Sequence, residues 1–128
     1  MLENSRLVAF AAISDVQRAR HFYCEVLRLP LKEDTEFALV VDANGVQLRL
    51  QKVEEVNPQP WTQLGWEVES IDDTVRALTT KGIEMERFSF LPQDDAGVWT
   101  TPAGVRIAWF KDPDGNLLSL TQIQPGKS

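Results

Sequence analysis

Ile13-Ser-Asp-Val-Gln-Arg-Ala-Arg-His-Phe-Tyr-Cys-Glu-Val-Leu-Arg-Leu29 is the stretch whose reading decides the fold. It follows Leu7-Val-Ala-Phe-Ala-Ala-Ile13, a short apolar run with the composition of a buried strand. Asp15 stands where a helix needs an N-cap. Val16, Ala19, Tyr23, Val26 and Leu27 then draw one apolar stripe at helical spacing. The same plan recurs further on. Leu64-Gly-Trp-Glu-Val68 reads as a strand, Ser70 as a cap, and Ile71, Val75 and Leu78 as a stripe that stops at Gly82. Superposing Ile13 on Val68 carries Asp15 onto Ser70 and Val16 onto Ile71.

The second half of each unit repeats as well. Phe37-Ala-Leu-Val-Val41, a turn at Asp-Ala-Asn-Gly45 and Val46-Gln-Leu-Arg-Leu-Gln51 read as two strands around a tight turn. Arg106-Ile-Ala-Trp-Phe-Lys111, a turn ending at Gly115 and Asn116-Leu-Leu-Ser-Leu-Thr121 read the same way. Between the units lies Val53-Glu-Glu-Val-Asn-Pro-Gln-Pro60, a polar stretch with two prolines that suits a linker. One domain over 1–128 is expected, with module one at about 5–53, the linker at about 54–61 and module two at about 62–124. Each module is strand, helix, then three strands. The second has a longer excursion, about 88 to 104, which holds a loop or lid at Leu91-Pro-Gln-Asp-Asp-Ala-Gly-Val-Trp99.

The helix segment Ile13–Leu29 resembles the helix signature of the vicinal oxygen chelate superfamily of glyoxalases, bleomycin-resistance proteins and extradiol dioxygenases. Phe110-Lys-Asp-Pro-Asp-Gly-Asn-Leu-Leu118 resembles its closing hairpin, and Lys81-Gly-Ile83 ends the second helix in the same place. The resemblance covers most of the chain. It implies an α+β, glyoxalase-like fold in which two tandem βαβββ modules form a curved mixed β-sheet cleft with the helices outside.

The resemblance also implies four metal-ligand positions, one on the first and one on the last strand of each module, usually filled by His, Gln or Glu. Here they hold Val8, Arg49, Gln63 and Ser119. Valine has no donor atom, and a guanidinium repels a cation. Only Gln63 is a good ligand and Ser119 a weak one, so neither a metal nor another cofactor is expected in the family's usual place. The single histidine, His21, lies on the first helix and reads as a solvated residue.

Strand alternation assigns the cleft instead. Leu7, Ala9, Ala11 and Ile13 should face the first helix, and Leu64, Trp66 and Val68 the second. Val8, Phe10, Phe37, Leu39, Gln47 and Arg49 should line the cleft from the first module, and Gln63, Glu67, Ile107, Trp109, Leu117 and Ser119 from the second. Trp99 is a candidate lid contact, and Trp61 is expected to pack. The result is an aromatic trough with a few polar groups, the composition of a small-molecule pocket. Each residue has a plainer reading beside this one: Trp109 as core, Gln63 as a partner to its neighbours, and Arg49 as the partner of Glu67 in an ion pair that closes the cleft.

Composition narrows the field. A formal net charge of −6 with no local cluster of Lys or Arg argues against nucleic acid as a partner. No segment is long and apolar enough to span a membrane, and the N-terminus does not read as a signal peptide. A single cysteine, Cys24, excludes an intrachain disulfide and suits a cytoplasmic protein. The leading expectation is a non-enzymatic, metal-free protein that binds an aromatic or amphipathic small molecule. Resemblance to the drug-sequestering branch of the superfamily further implies a homodimer. The rival readings are a metal-dependent lyase, isomerase or dioxygenase, and an assembly domain whose cleft is plugged by its own side chains.

Overall fold

Two capped helices set the frame. Asp15 has an extended backbone, and its carboxylate accepts from the Arg18 amide at 3.1 Å, opening α1 at Val16–Arg20. The Ser70 hydroxyl accepts from the Asp73 amide at 3.2 Å and opens α2 at Ile71–Thr80. Both caps satisfy amides that the helix itself leaves without a partner. The computed structural model describes residues 1–123, so the expected end of the second module near 124 lies outside the described residues.

α1 runs directly into a π-helical stretch, His21–Val26. There the Leu27 amide donates to the Phe22 carbonyl at 2.9 Å, one residue further back than in an α-helix. The wider turn brings the adjacent Phe22 and Tyr23 to the buried side together, whereas a strict helical stripe contains Tyr23 alone. Their rings meet edge to face at 5.0 Å. Arg28, at φ 64°, stops the helix in the left-handed region.

The strands form two four-stranded mixed sheets, which makes the fold α+β as expected. The first holds β1 (Val8–Ile13), β2 (Leu31–Asp34), β3 (Ala38–Ala43) and β4 (Val46–Lys52) in the order β1-β4-β3-β2. The second holds β5 (Leu64–Glu67), β6 (Trp99–Thr100), β7 (Arg106–Lys111) and β8 (Leu117–Gln122) in the order β5-β8-β7-β6. In each, the first strand pairs in parallel with the last, and the remaining pairings are antiparallel. Ile13, Ala11, Leu48, Leu50, Leu39 and Val41 share one buried face of the first sheet, with Ala38 and Val40 buried on the other; Ala108, Phe110, Leu118 and Leu120 share a buried face of the second, with Leu117 and Ser119 buried on the other.

The chain divides into two compact units, residues 1–58 with 112–114, and 59–111 with the described residues from 115 onward. The turn Asp112-Pro-Asp114 therefore belongs to the first unit although its flanking strands belong to the second. Its anchor is polar. The Tyr23 hydroxyl, fully buried, donates to the Asp112 carboxylate at 2.6 Å. Asp114 accepts from the amide of Ser14 at 3.1 Å and also from the Ser14 hydroxyl. Burial, followed by the Asp112 charge and hydrogen bond, pushes the Tyr23 phenol far above its ordinary value. It stays protonated and donates at every pH the fold survives.

Several positions depart from the alternation. Leu7 precedes β1 and is 71% exposed rather than facing a helix. Leu39 pairs with Leu50, which turns it to the buried side and away from Arg49, whose partner is Val40. Phe37 precedes β3, outside the regular pleat, and is 72% exposed. Trp61, expected to pack, is 62% exposed. The first of the three strands after α2 is reduced to the two residues of β6, because the segment before it turns repeatedly. Gln93 pins that loop by accepting from the Phe88 amide at 2.7 Å and donating to the Glu86 and Gly97 carbonyls at 2.9 and 2.8 Å.

Two outcomes follow from these anchors. Tyr23→Phe should lower stability by about 1–3 kcal/mol in urea denaturation, since it takes a donor from a buried carboxylate; a loss within error would refute the anchoring role. The Arg106 guanidinium holds Asp72 by two bonds of 2.9 and 3.0 Å. Its hydrogen bond keeps the Asp72 carboxyl below the usual carboxylate range. A folded value below the unfolded one, near 3.9, gives stability that is complete above that value and fades as pH falls through the lower one. The wild-type advantage over Asp72→Asn in urea midpoint should therefore shrink between pH 7 and pH 3.

Candidate functional site

In the second unit, register decides which side chains share a face. β8 carries Ser119 and Thr121 between Gly65 and Glu67 of β5 and Trp109 and Ile107 of β7. Trp99 on β6 pairs with Ile107. Two rows thus cross the sheet: Glu67–Thr121–Ile107–Trp99 and Gly65–Ser119–Trp109. The buried residues Leu118, Leu120, Phe110 and Ala108 occupy the opposite face, with Ile71, Val75 and Leu78 of α2 adding to the same core. Gln63 stands just before β5, its backbone amide donating to the Leu117 carbonyl at 2.7 Å. Six residues singled out in the sequence, Glu67, Trp99, Ile107, Trp109, Leu117 and Ser119, lie on the face turned away from α2.

This face carries an aromatic wall. Trp109 and Trp99, diagonal neighbours across the strand pair, stack with centroids 6.3 Å apart and planes 22° from parallel. Phe88 meets Trp109 edge to face at 5.3 Å, and Phe90 leans on Phe88 at 5.7 Å. The indole Nε1 of Trp109 donates to Thr62 Oγ1 at 3.2 Å, so its polar edge is satisfied within the unit. Both tryptophans are half-buried, and Phe90 is 78% exposed. Thr62, Phe88 and Phe90 escaped the sequence reading. They lie outside regular strands, where alternation carries no signal. The loop is tied to β7 by the Glu86 amide, which donates to the Trp109 carbonyl at 2.7 Å, a bond visible only in three dimensions.

In the first unit, Val8 aligns with Gln47, and Phe10 with Arg49. All four share the face opposite Leu48 and Leu50. Phe10 is 45% exposed. The Arg49 guanidinium donates to Gln47 Oε1 at 3.0 Å, a partner on its own strand. Phe37 stands apart from these four, ahead of β3.

The positions the superfamily uses for metal do not suit a divalent ion. On the first unit they present an aliphatic group and a cation already engaged by Gln47. On the second, the Ser119 hydroxyl is an uncharged, weak donor, and its row neighbour Gly65 brings no side chain at all. Among the described residues no group of three or more His, Cys, Asp or Glu side chains is placed to hold a metal ion. His21 is exposed and lies 3.3 Å from Glu25, one turn along its helix. Burial raises the Cys24 thiol above its usual value, which disfavours the nucleophilic thiolate. A groove of about 930 Å³ exists elsewhere on the second unit, between α2 and residues 82–87, lined by Val75, Ile83 and Met85 with Arg76, Glu84 and Arg87. It contains none of the residues expected to bind a ligand.

Among the described residues no helix is long and apolar enough to cross a membrane. No curated protein matches the chain. Solved structures do. A glyoxalase/bleomycin resistance protein/dioxygenase superfamily member from Sphaerobacter thermophilus is 22% identical with a TM-score of 0.73, covering 95% of this chain and 99% of that one. A lactoylglutathione lyase from Agrobacterium tumefaciens is 16% identical with a TM-score of 0.73, covering 93% of each chain. TnmS3, an antibiotic binding protein from Streptomyces sp. CB03234, is 23% identical with a TM-score of 0.69, covering 96% of this chain and 98% of that one. At these identities the likeness shows a shared fold. The family model of the Glyoxalase/Bleomycin resistance protein/Dioxygenase superfamily matches residues 7–120, nearly the whole chain, and the protein belongs to that superfamily.

Proposed function

We propose that this protein binds a flat aromatic or amphipathic small molecule on the face of the second sheet turned away from α2, without a metal ion and without chemical turnover. The observation that carries the reading is the Trp99–Trp109 stack, extended by Phe88 and Phe90 and tied down by the Thr62 hydrogen bond. Aromatic surface held in place before binding loses little entropy when a ring stacks on it. The sparse polar groups around it, Glu67, Gln63 and Ser119, orient a ligand without dominating its affinity. A neighbour of the same fold is described as antibiotic binding, which is consistent with this use of the scaffold. Resemblance to the acidic, metal-free branch of the superfamily supports a homodimer, and one free cysteine suits the cytoplasm.

The chemistry of the side chains supports a reading without turnover. Catalysis in the metal-using members needs several ligands around an open coordination position, and the donor set here does not supply them. Neither Cys24, raised by burial, nor His21, paired with Glu25 on an exposed helix, supplies a nucleophile–base pair on this face.

A thermal-shift titration with naphthols and other fused-ring compounds tests the reading. Ligand at 100 times its dissociation constant should add about 2.7 kcal/mol of stability. Trp109→Ala should reduce that gain by at least half, and a chelator should leave it unchanged. Stoichiometric metal in the purified protein, whose removal abolishes binding, would overturn the proposal.

A further inference from the structure

Ser119 is the odd member of the aromatic face. It is 8% exposed, yet its hydroxyl makes no hydrogen bond among the described residues. No fully enclosed side-chain oxygen or nitrogen in the described residues lacks a partner. The Ser119 hydroxyl must therefore open onto the surface of the face instead of being sealed beneath it. Its neighbours in the row are Gly65 on one side and Trp109 on the other.

Gly65 explains how the hydroxyl comes to stand there. The glycine lies within β5 and is absent from the residues with positive φ, so its backbone does not demand a glycine. Space demands it. A Cβ at position 65 would come 2.5 Å from Ser119 Oγ, closer than non-bonded atoms approach. The missing side chain leaves an exposed backbone gap beside a single polar atom.

From this geometry we infer that Ser119 is the specificity-determining polar anchor of the aromatic face, and that Gly65 keeps access to it open. The inference rests on the proposed binding of a ring at Trp109. Neighbouring strands lie about 4.8 Å apart, so a fused ring resting on Trp109 carries its edge over β8 and above the hydroxyl. A serine hydroxyl both donates and accepts but is uncharged. The ligand class selected is a planar aromatic with a hydroxyl or carbonyl oxygen on its ring edge, in preference to a bare hydrocarbon of the same shape.

The test uses the full chain and two probes of equal shape, 2-naphthol and 2-methylnaphthalene, in equilibrium dialysis. Wild type should bind 2-naphthol about 3- to 10-fold more tightly, the range of one net hydrogen bond. Ser119→Ala should bring the ratio close to one, and a general structural defect would instead weaken both probes together. Gly65→Ala, which displaces the hydroxyl from the opposite side, should also collapse the ratio. A ratio near one in wild type, or a preference that survives Ser119→Ala, overturns the assignment of Ser119 while leaving ring binding intact. Failure of wild type to bind either probe overturns the underlying reading as well.

Discussion

The parallel pairing of each unit's first strand with its last is the constraint from which the rest follows. Parallel neighbours need a crossover, and the capped helix between the first strand and the others supplies it. Once that helix lies on one face of the sheet, a period of two sorts every strand residue between core and opposite face. In the second unit the pairing brings Gly65 beside Ser119, and the antiparallel hairpin sets Ser119 beside Trp109. The site is a consequence of register: a slip of one residue would turn Trp109 into the core and Phe110 out of it. The hairpin turn that fixes the register is itself held, through Asp112 and Asp114, by Tyr23 and Ser14.

Much of this was legible in the sequence because it depends on local rules. The caps at Asp15 and Ser70, the turn glycines Gly45 and Gly115, and the alternation along β5, β7 and β8 all follow from neighbours in the chain. The misreadings fall where local rules give out. Leu7 and Phe37 sit one residue beyond a strand end, where the pleat no longer fixes direction. Leu39, expected on the face of Arg49, pairs with Leu50 and stands on the opposite one, because the register between two strands is not written in either alone. The π-helical turn that buries Phe22 beside Tyr23 has no signature in an apolar stripe drawn at ordinary helical spacing. The Phe88–Trp109 contact depends on where an irregular loop returns, which the bond from the Glu86 amide to the Trp109 carbonyl marks.

The superfamily scaffold usually brings metal donors to the first and last strands of each module, and this chain has put other chemistry at those points. Val8 and Arg49 offer the first unit an aliphatic surface and an amide-bound guanidinium. Gln63 and Ser119 offer the second an amide and a hydroxyl beside an aromatic wall. Stacking surface and single hydrogen bonds act by recognition: they confer affinity and orientation. On the proposed reading, strand geometry that can hold an ion for catalysis holds a ring instead.

Site-resolved NMR of the indole groups tests the account most directly. The four tryptophans give four Nε1–H signals. On titration with 2-naphthol, the signals of Trp99 and Trp109 should move together and saturate at the same concentration, while that of Trp66, on the face toward α2, stays in place. Movement of Trp66 alone, or stationary signals from Trp99 and Trp109 under conditions where ligand is bound, would contradict it.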